Sequence, residues 1–275
     1  MHNCDSNVNQ EKQLITISIV TYRPDLAELR NTLDSLAIAL EKIGSNRFSI
    51  IIIDNSDQDS VSSFLIKHYA TLPWHVVHGQ GNIGFGRGHN LALETMGRFH
   101  LILNPDIELH PDAIINAITF MSANPRCGLI TPYAQWPDGE RQYLCKQYPA
   151  IFDLMLRGFA TKKIRSLFQR RLDRYEMKLQ TQNEVYWGPP IVSGCFMFFD
   201  SRILERTNGF CDDYFLYFED FDLSLRVNAF ADIAYVPTVR VIHAGGHAAK
   251  KGFWHIRNFS SSALLFYQSH GLKIF

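Results

Sequence analysis

Residues 48–56 read FSIIIIDNS. A phenylalanine and four isoleucines within six residues make a strand buried on both faces, because a short β-branched apolar run of this kind suits the interior of a sheet. The run stops at Asp54-Asn55-Ser56, residue types that favour turns. Upstream, residues 14–21 (LITISIVT) form a second strand of the same character, and the turn at Pro24-Asp25 opens a helix with Leu26, Leu29, Leu33 and Leu36 at helical spacing. Downstream the spacing predicts a helix over 61–69, a short strand over 74–78, a helix over 86–96 and a strand over 99–103 ending at Asn104-Pro105-Asp106. Pro111 is expected as the first residue of a helix running to about residue 123. Strands alternating with helices define the fold class as α/β, a doubly wound, mostly parallel sheet. In such sheets ligands bind beyond the carboxyl ends of the strands, where Thr21-Tyr22, Asp54-Asn55 and Asn104-Pro105-Asp106 fall.

The second half is less regular. A strand is expected over 128–133, helix over 151–180, a buried strand over 191–200 interrupted by Ser-Gly-Cys, a short helix over 219–229 and a last strand over 239–243. The aromatic stretch 254–267 packs on the core or on a partner. There is no internal repeat and no low-complexity segment.

The chain has 275 residues and a formal net charge of zero. That length can bury a substantial single core, and the charge balance argues against nucleic acid as a partner. Cys4, Cys127, Cys145, Cys195 and Cys211 are scattered, with no C-x-x-C pair. This argues against a disulfide framework and a structural zinc site, and suits a reducing cytoplasm. The opening MHNCDSNVNQEKQ lacks the apolar core of a signal peptide, and no apolar run approaches the roughly 20 residues needed to cross a bilayer. A cytoplasmic protein is expected, at most peripheral on the inner membrane.

Several segments carry chemistry. Asp54, ending a buried strand, can accept hydrogen bonds from a nucleobase or ribose, or simply shape a turn. Residues 81–90 (GNIGFGRGHN) form a glycine-rich turn into a helix, where exposed N–H groups suit phosphate. The dinucleotide pattern fails because His89 stands at its third glycine, and no Gly-Lys-Ser/Thr follows as a Walker loop requires. Asp106 can hold Mg²⁺ or Mn²⁺ on a diphosphate, although Asn-Pro-Asp is also a plain turn. In residues 217–225 (YFEDFDLSL) Glu219, Asp220 and Asp222 lie among aromatics, and a low dielectric raises a carboxylate's basicity. The opposing reading is that these acids complement the dipole of a helix start. His243 ends an apolar strand and can serve as a metal ligand, though a lone histidine there is more often structural.

Taken in order, IVTY, IDNS, GNIGFGRGHN, LNPD, SGCF, FEDFDL and His243 resemble family-2 glycosyltransferases of the GT-A fold, above all the rhamnosyltransferases. The resemblance runs over residues 15–246. It implies one catalytic domain, with a nucleotide-sugar-binding half over about 14–130 and an acceptor-binding, catalytic half over about 131–275. It also implies that Thr21, Tyr22 and Asp54 contact the nucleoside, with Asn82, Gly84 and Asn90 near the ribose, diphosphate or sugar. LNPD replaces the family's D-x-D, so Asn104 stands for its first acid, and Asp106 with His243 holds the Mg²⁺ or Mn²⁺. Asp220 matches the catalytic base beside Glu219. Gly194 and Cys195 lie near the acceptor with Asp222, which more plainly orients its helix together with Arg226. The implied reaction is an inverting transfer from dTDP-L-rhamnose to a saccharide or lipid-linked saccharide acceptor of a cell-surface polysaccharide or lipopolysaccharide. A UDP-sugar donor on the same fold and a non-catalytic nucleotide-binding protein are the competing readings. A nucleotidyltransferase lacks support, since residues 19–25 carry no glycine-rich basic loop. The basic segment 157–178 suits an anionic membrane surface, acceptor phosphates or a merely solvated face.

Overall fold

The computed structural model describes residues 13–44, 46–245 and 252–275. The polar opening stretch up to residue 12, with Cys4, and the end of the resemblance at residue 246 lie outside them. The N-terminal half runs β1 (Ile15–Thr21), α1 (Leu26–Glu41), β2 (Phe48–Asp54), α2 (Val61–His68), β3 (Trp74–His78), α3 (Phe85–Asn90), β4 (Phe99–Leu103), β5 (Ile107–Leu109) and α4 (Ala113–Ala123). The second half runs β6 (Cys127–Gln135), β7 (Arg141–Gln142), β8 (Cys145–Lys146), α5 (Ile151–Phe159), α6 (Lys162–Leu167), α7 (Gln169–Tyr175), β9 (Tyr186–Trp187) and β10 (Ile191–Val192). It continues through β11 (Phe196–Asp200), α8 (Ser201–Arg206), α9 (Glu219–Val227), β12 (Asp232–His243) and α10 (Phe253–His270).

The main sheet has the order β3-β2-β1-β4-β11-β6-β12-β5. β3, β2, β1 and β4 are parallel, as the alternating pattern requires. β11 enters antiparallel between β4 and β6. Its N-terminal end therefore lies beside the C-terminal end of β4, with Phe196 opposite Leu103. β12 runs parallel to β6 and brings its own C-terminus to β5, with His243 opposite Ile107. The isoleucines of β1 and β2 are almost fully enclosed. Each such burial contributes about 1.5–3 kcal/mol, enough to specify these two strands as the centre of the core. Asp25 caps α1 by accepting from the Ala27 N–H at 2.8 Å.

The expected elements form with four adjustments. The helix over 86–96 divides into α3 and a 3₁₀ turn (Leu93–Thr95). Pro111 lies outside α4, in the turn closed by the Ala113 N–H on the His110 carbonyl, with Asp112 at the cap. The segment 151–180 is three short helices rather than one. β12 starts seven residues earlier than the expected strand. Pro237 lacks an N–H, and the register of β12 on β6 shifts between Val236 and Arg240, so only the regular end was legible. The aromatic C-terminal stretch forms α10, which packs on α9 through Phe218, Phe221 and Phe266.

Candidate active site

The topology gathers the polar clusters on one rim. Thr21 and Asp54 end neighbouring strands and face each other in register. Asp54 is fully buried, and its Oδ1 accepts from the Thr21 hydroxyl at 3.1 Å, the Ser56 hydroxyl at 2.6 Å and the Ser56 N–H at 3.1 Å. Its Oδ2 is enclosed with no protein partner among the described residues. A buried carboxylate oxygen without a donor is costly unless a ligand supplies one. Gln80 Nε2 donates to the Asp54 carbonyl and to Asn55 Oδ1, both at 3.0 Å, and Asn55 Nδ2 donates to the Gly84 carbonyl. Beside this network Tyr22, half exposed, lines a cleft of ≈ 240 Å³ with Asn104 and Asp106. A separate groove of ≈ 430 Å³ along Ser35, His110 and Arg240 contains none of the candidate site residues.

Gly84 packs against the segment that precedes α9. Its φ is +95°, and a Cβ there would lie 2.3 Å from the Phe215 carbonyl oxygen. Only glycine fits, and the Phe85 N–H then donates to that same carbonyl at 3.3 Å.

Asp220 stands in the first turn of α9, on the same rim. Its Oδ2 accepts from the Gly194 N–H at 2.8 Å and its Oδ1 from the Phe221 N–H at 3.0 Å. Both bonds favour the carboxylate, yet burial outweighs them and pushes its pKa up. Glu219 is raised further, by burial and then by the neighbouring Asp220 charge. Burial thus raises both carboxyls of the pair above the ordinary carboxylate range. Ahead of the pair, Tyr217 and Phe218 both adopt left-handed backbone, with φ of 71° and 66°. Two bulky residues in that region cost about 1–3 kcal/mol each, strain of the kind that gathers at functional sites.

The third group is Asp106 with His243. Asp106 Oδ2 lies 3.5 Å from His243 Nε2. Gln142 Nε2 donates to the His243 carbonyl at 2.8 Å, and Gln142 Oε1 meets His243 Nδ1 at 2.8 Å. With its amide oriented by the first bond, Gln142 presents its oxygen to Nδ1 and turns Nε2 towards the Asp106 carboxylate. Two ligands of one small divalent ion, each at about 2.1 Å, stand roughly 3 Å or more apart, so this donor set fits a cation. Among the described residues no group of three or more His, Cys, Asp or Glu gathers for a metal. The rim thus offers a cation at most the pair Asp106 and His243, with Asn104 lining the same cleft as Asp106.

A family model for glycosyl transferase family 2 matches residues 16–207, well over half of the chain. The chain belongs to this family. It is a glycosyltransferase, and its relatives agree. It is 24% identical over 252 residues to the N-acetylglucosaminyl-diphospho-decaprenol L-rhamnosyltransferase of Mycobacterium tuberculosis, covering 86% of this chain and 77% of that one. It is 25% identical over 245 residues to rhamnosyltransferase WbbL of Escherichia coli, covering 82% and 86%. The fold is that of GT-A transferases. A Pyrobaculum calidifontis mannosyltransferase, solved with GDP-Man and Mn²⁺, superposes with a TM-score of 0.59 at 16% identity, covering 95% of this chain and 77% of that one. Staphylococcus aureus TarS superposes with a TM-score of 0.58 at 14% identity over 84% of this chain, which spans only 36% of TarS.

Not every expected contact faces the rim of this family-2 transferase. The Asn90 amide is spent on Phe210 O at 2.8 Å, Phe210 N–H at 2.9 Å and Asp212 at 3.1 Å, so it clamps the loop before α9. Asn82 Oδ1 accepts from the Gly84 N–H at 3.2 Å and shapes the glycine turn. Asp222 turns inward, with one oxygen on Arg226 at 2.7 Å and the other on His270 at 2.8 Å, which ties α9 to α10. The Cys195 thiol is buried, and burial holds its pKa up at about 12. Its carbonyl accepts from the Asn104 N–H at 2.9 Å, so Cys195 joins the rim through its backbone. Gln142 and Trp136, whose ring stacks on His243 at 6.2 Å between centroids, escaped the sequence reading. Both lie in irregular segments where no periodicity marks them.

Proposed function

We propose that the chain transfers L-rhamnose from dTDP-L-rhamnose, with inversion, to a hydroxyl of a saccharide or lipid-linked saccharide acceptor. The observation that carries the reaction type is Asp220, a carboxylate of raised basicity fixed by Gly194 on the rim that also holds Asp54, Asp106 and His243. The sugar is supported by the relatives' names, and the acceptor class by the lipid diphosphate in the name of the mycobacterial one.

In this reading Asp54 Oδ2 accepts the imide N–H of the pyrimidine, and Tyr22 lies against the nucleoside. The N–H groups of the glycine turn around Gly84 lie toward the diphosphate or sugar. Asp220 removes the proton from the acceptor hydroxyl as its oxygen attacks the anomeric carbon, and the bond to the nucleoside diphosphate breaks on the opposite face. Glu219, whose own carboxyl is raised by burial and by the Asp220 charge, lies next to it in the chain. Asp106 and His243 would hold a Mg²⁺ or Mn²⁺, which when bound neutralises charge on the departing diphosphate.

Calorimetric titration with dTDP-L-rhamnose, with Mn²⁺ or Mg²⁺ and then with EDTA, alongside UDP-sugars, tests the donor. Metal-dependent binding of the dTDP-sugar in preference to the others is expected. Preference for a UDP-sugar overturns the donor, and no binding of any overturns the reading as a whole.

A further inference from the structure

α5, α6 and α7 pack together on the face reached by residues 272–275. Phe152 is the hub. Its ring lies 5.2 Å from Phe168 and 5.5 Å from Phe275, and its N–H donates to the Ile274 carbonyl at 3.2 Å. Around that hub large apolar side chains face outward: Leu167 is 81% exposed, Phe275 73% and Met155 56%. A merely solvated face does not display such residues in a group.

The same helices carry a one-sided charge. Lys162, Lys163, Arg165, Arg170, Arg171 and Arg174 fall within α6 and α7, against two acids on α5–α7, of which Asp153 pairs with Arg171 and Asp173 with Lys178 at 2.7 Å. Among the described residues no carboxylate pairs with Lys162, Lys163 or Arg170. Protruding Leu, Met and Phe side chains ringed by free cations complement a surface of acyl chains beneath negative headgroups. No described helix is long and apolar enough to cross a membrane.

We infer that the surface of α5–α7 and residues 272–275 docks on an anionic lipid bilayer. The surface connects to the candidate base through α10. That helix ends at His270, which holds Asp222 of α9, while the Tyr148 hydroxyl donates to the Gly271 carbonyl just beyond it. Docking there keeps Asp220 beside the bilayer, where a lipid-linked saccharide resides. That last purpose rests on the proposed transferase reaction, whereas the docking itself does not.

Flotation with vesicles of phosphatidylcholine, with and without phosphatidylglycerol, at low and high salt, tests it. The protein is expected to float with phosphatidylglycerol vesicles only, and less at high salt. Lys162→Gln, Lys163→Gln and Arg170→Gln should each weaken partitioning roughly fivefold, and Leu167→Ser with Phe275→Ser should weaken it further. Matching thermal melts confirm that the variants fold. Absence of flotation, equal binding to neutral vesicles, or variants that float like the parent overturn the inference. So does sedimentation as a dimer that Leu167→Ser with Phe275→Ser converts to monomer, which assigns the face to a second copy. Binding of dTDP is followed in parallel. Its loss with vesicle binding intact counts against the transferase reading alone, and the converse counts against the docking alone.

Discussion

The Gly194 N–H donates to Asp220 Oδ2 at 2.8 Å, across 26 residues of sequence. A Cβ on residue 194 would press within 3.2 Å of both the Asp220 Cβ and the Phe85 ring. The contact fixes one carboxylate oxygen and thereby directs the carboxylate's remaining lone pairs. Gly194→Ala is expected to displace Asp220, lowering kcat severalfold with little change in donor affinity. Equal kcat in the two proteins would remove this contact from the catalytic account.

The raised pKa of Asp220 gives the reaction a distinctive pH dependence. A base must be ionised, so the rate falls as pH drops through the folded-state pKa. That acidic limb is expected above the ordinary carboxylate range near 4. Single-turnover rates from pH 4 to 8 check it, and a limb at the pKa of a free aspartate would contradict the burial argument.

Glu219 yields a stability prediction of the opposite kind. Its folded pKa lies above the unfolded value, so the fold retains a proton that the unfolded chain gives up. Stability therefore declines as pH rises from the unfolded pKa towards the folded one. Glu219→Gln imitates the neutral acid. Its melting temperature is expected to vary less over that window and to exceed the parent's at mildly alkaline pH, with the acidic limb of the rate unchanged.

Ser18 holds two buried imidazoles, His89 Nδ1 at 2.7 Å and His100 Nε2 at 2.9 Å. Burial holds the His100 pKa down at about 3 and depresses His89 strongly. Both remain neutral in the fold and take up protons when it opens, so stability falls as pH drops below about 6.5. Ser18→Ala removes the shared hydroxyl and should cost about 1–3 kcal/mol for each nitrogen left without a partner. Urea unfolding at pH 5 and pH 8 measures both effects.

Gln142 orients His243 through two hydrogen bonds. Gln142→Ala is expected to raise the Mn²⁺ concentration for half-maximal donor binding by roughly 10–100-fold, the usual scale for a group behind a metal ligand. Asp106→Ala should remove the metal dependence altogether. Calorimetric donor binding across a Mn²⁺ series distinguishes these outcomes from a purely structural role.

Much of this was legible because the N-terminal half obeys local rules. The isoleucines of β2 and the leucines of α1 specify their elements, and Asp54 and Asp106 follow as the residues at the end of β2 and just beyond the end of β4. The second half depends on long-range packing. Nothing in the spacing places Gly194 against Asp220, Gln142 behind His243 or His270 against Asp222, because those pairs are made by irregular strands and by a helix near the end of the chain. Asn90 and Asp222 sit in the right motifs, but their orientation is decided by the loop at 210–212 and by α10. The left-handed backbone at Tyr217 and Phe218 has no compositional signature, since neither is a glycine.

The most direct test of the central claim compares Asp220→Asn with the parent for two quantities, dTDP-L-rhamnose affinity and the rate of dTDP release from it. Affinity within a few fold of the parent is expected, with a rate lower by more than about a hundredfold. An Asp220→Asn protein that binds and turns over like the parent would contradict the assignment of Asp220 as the base.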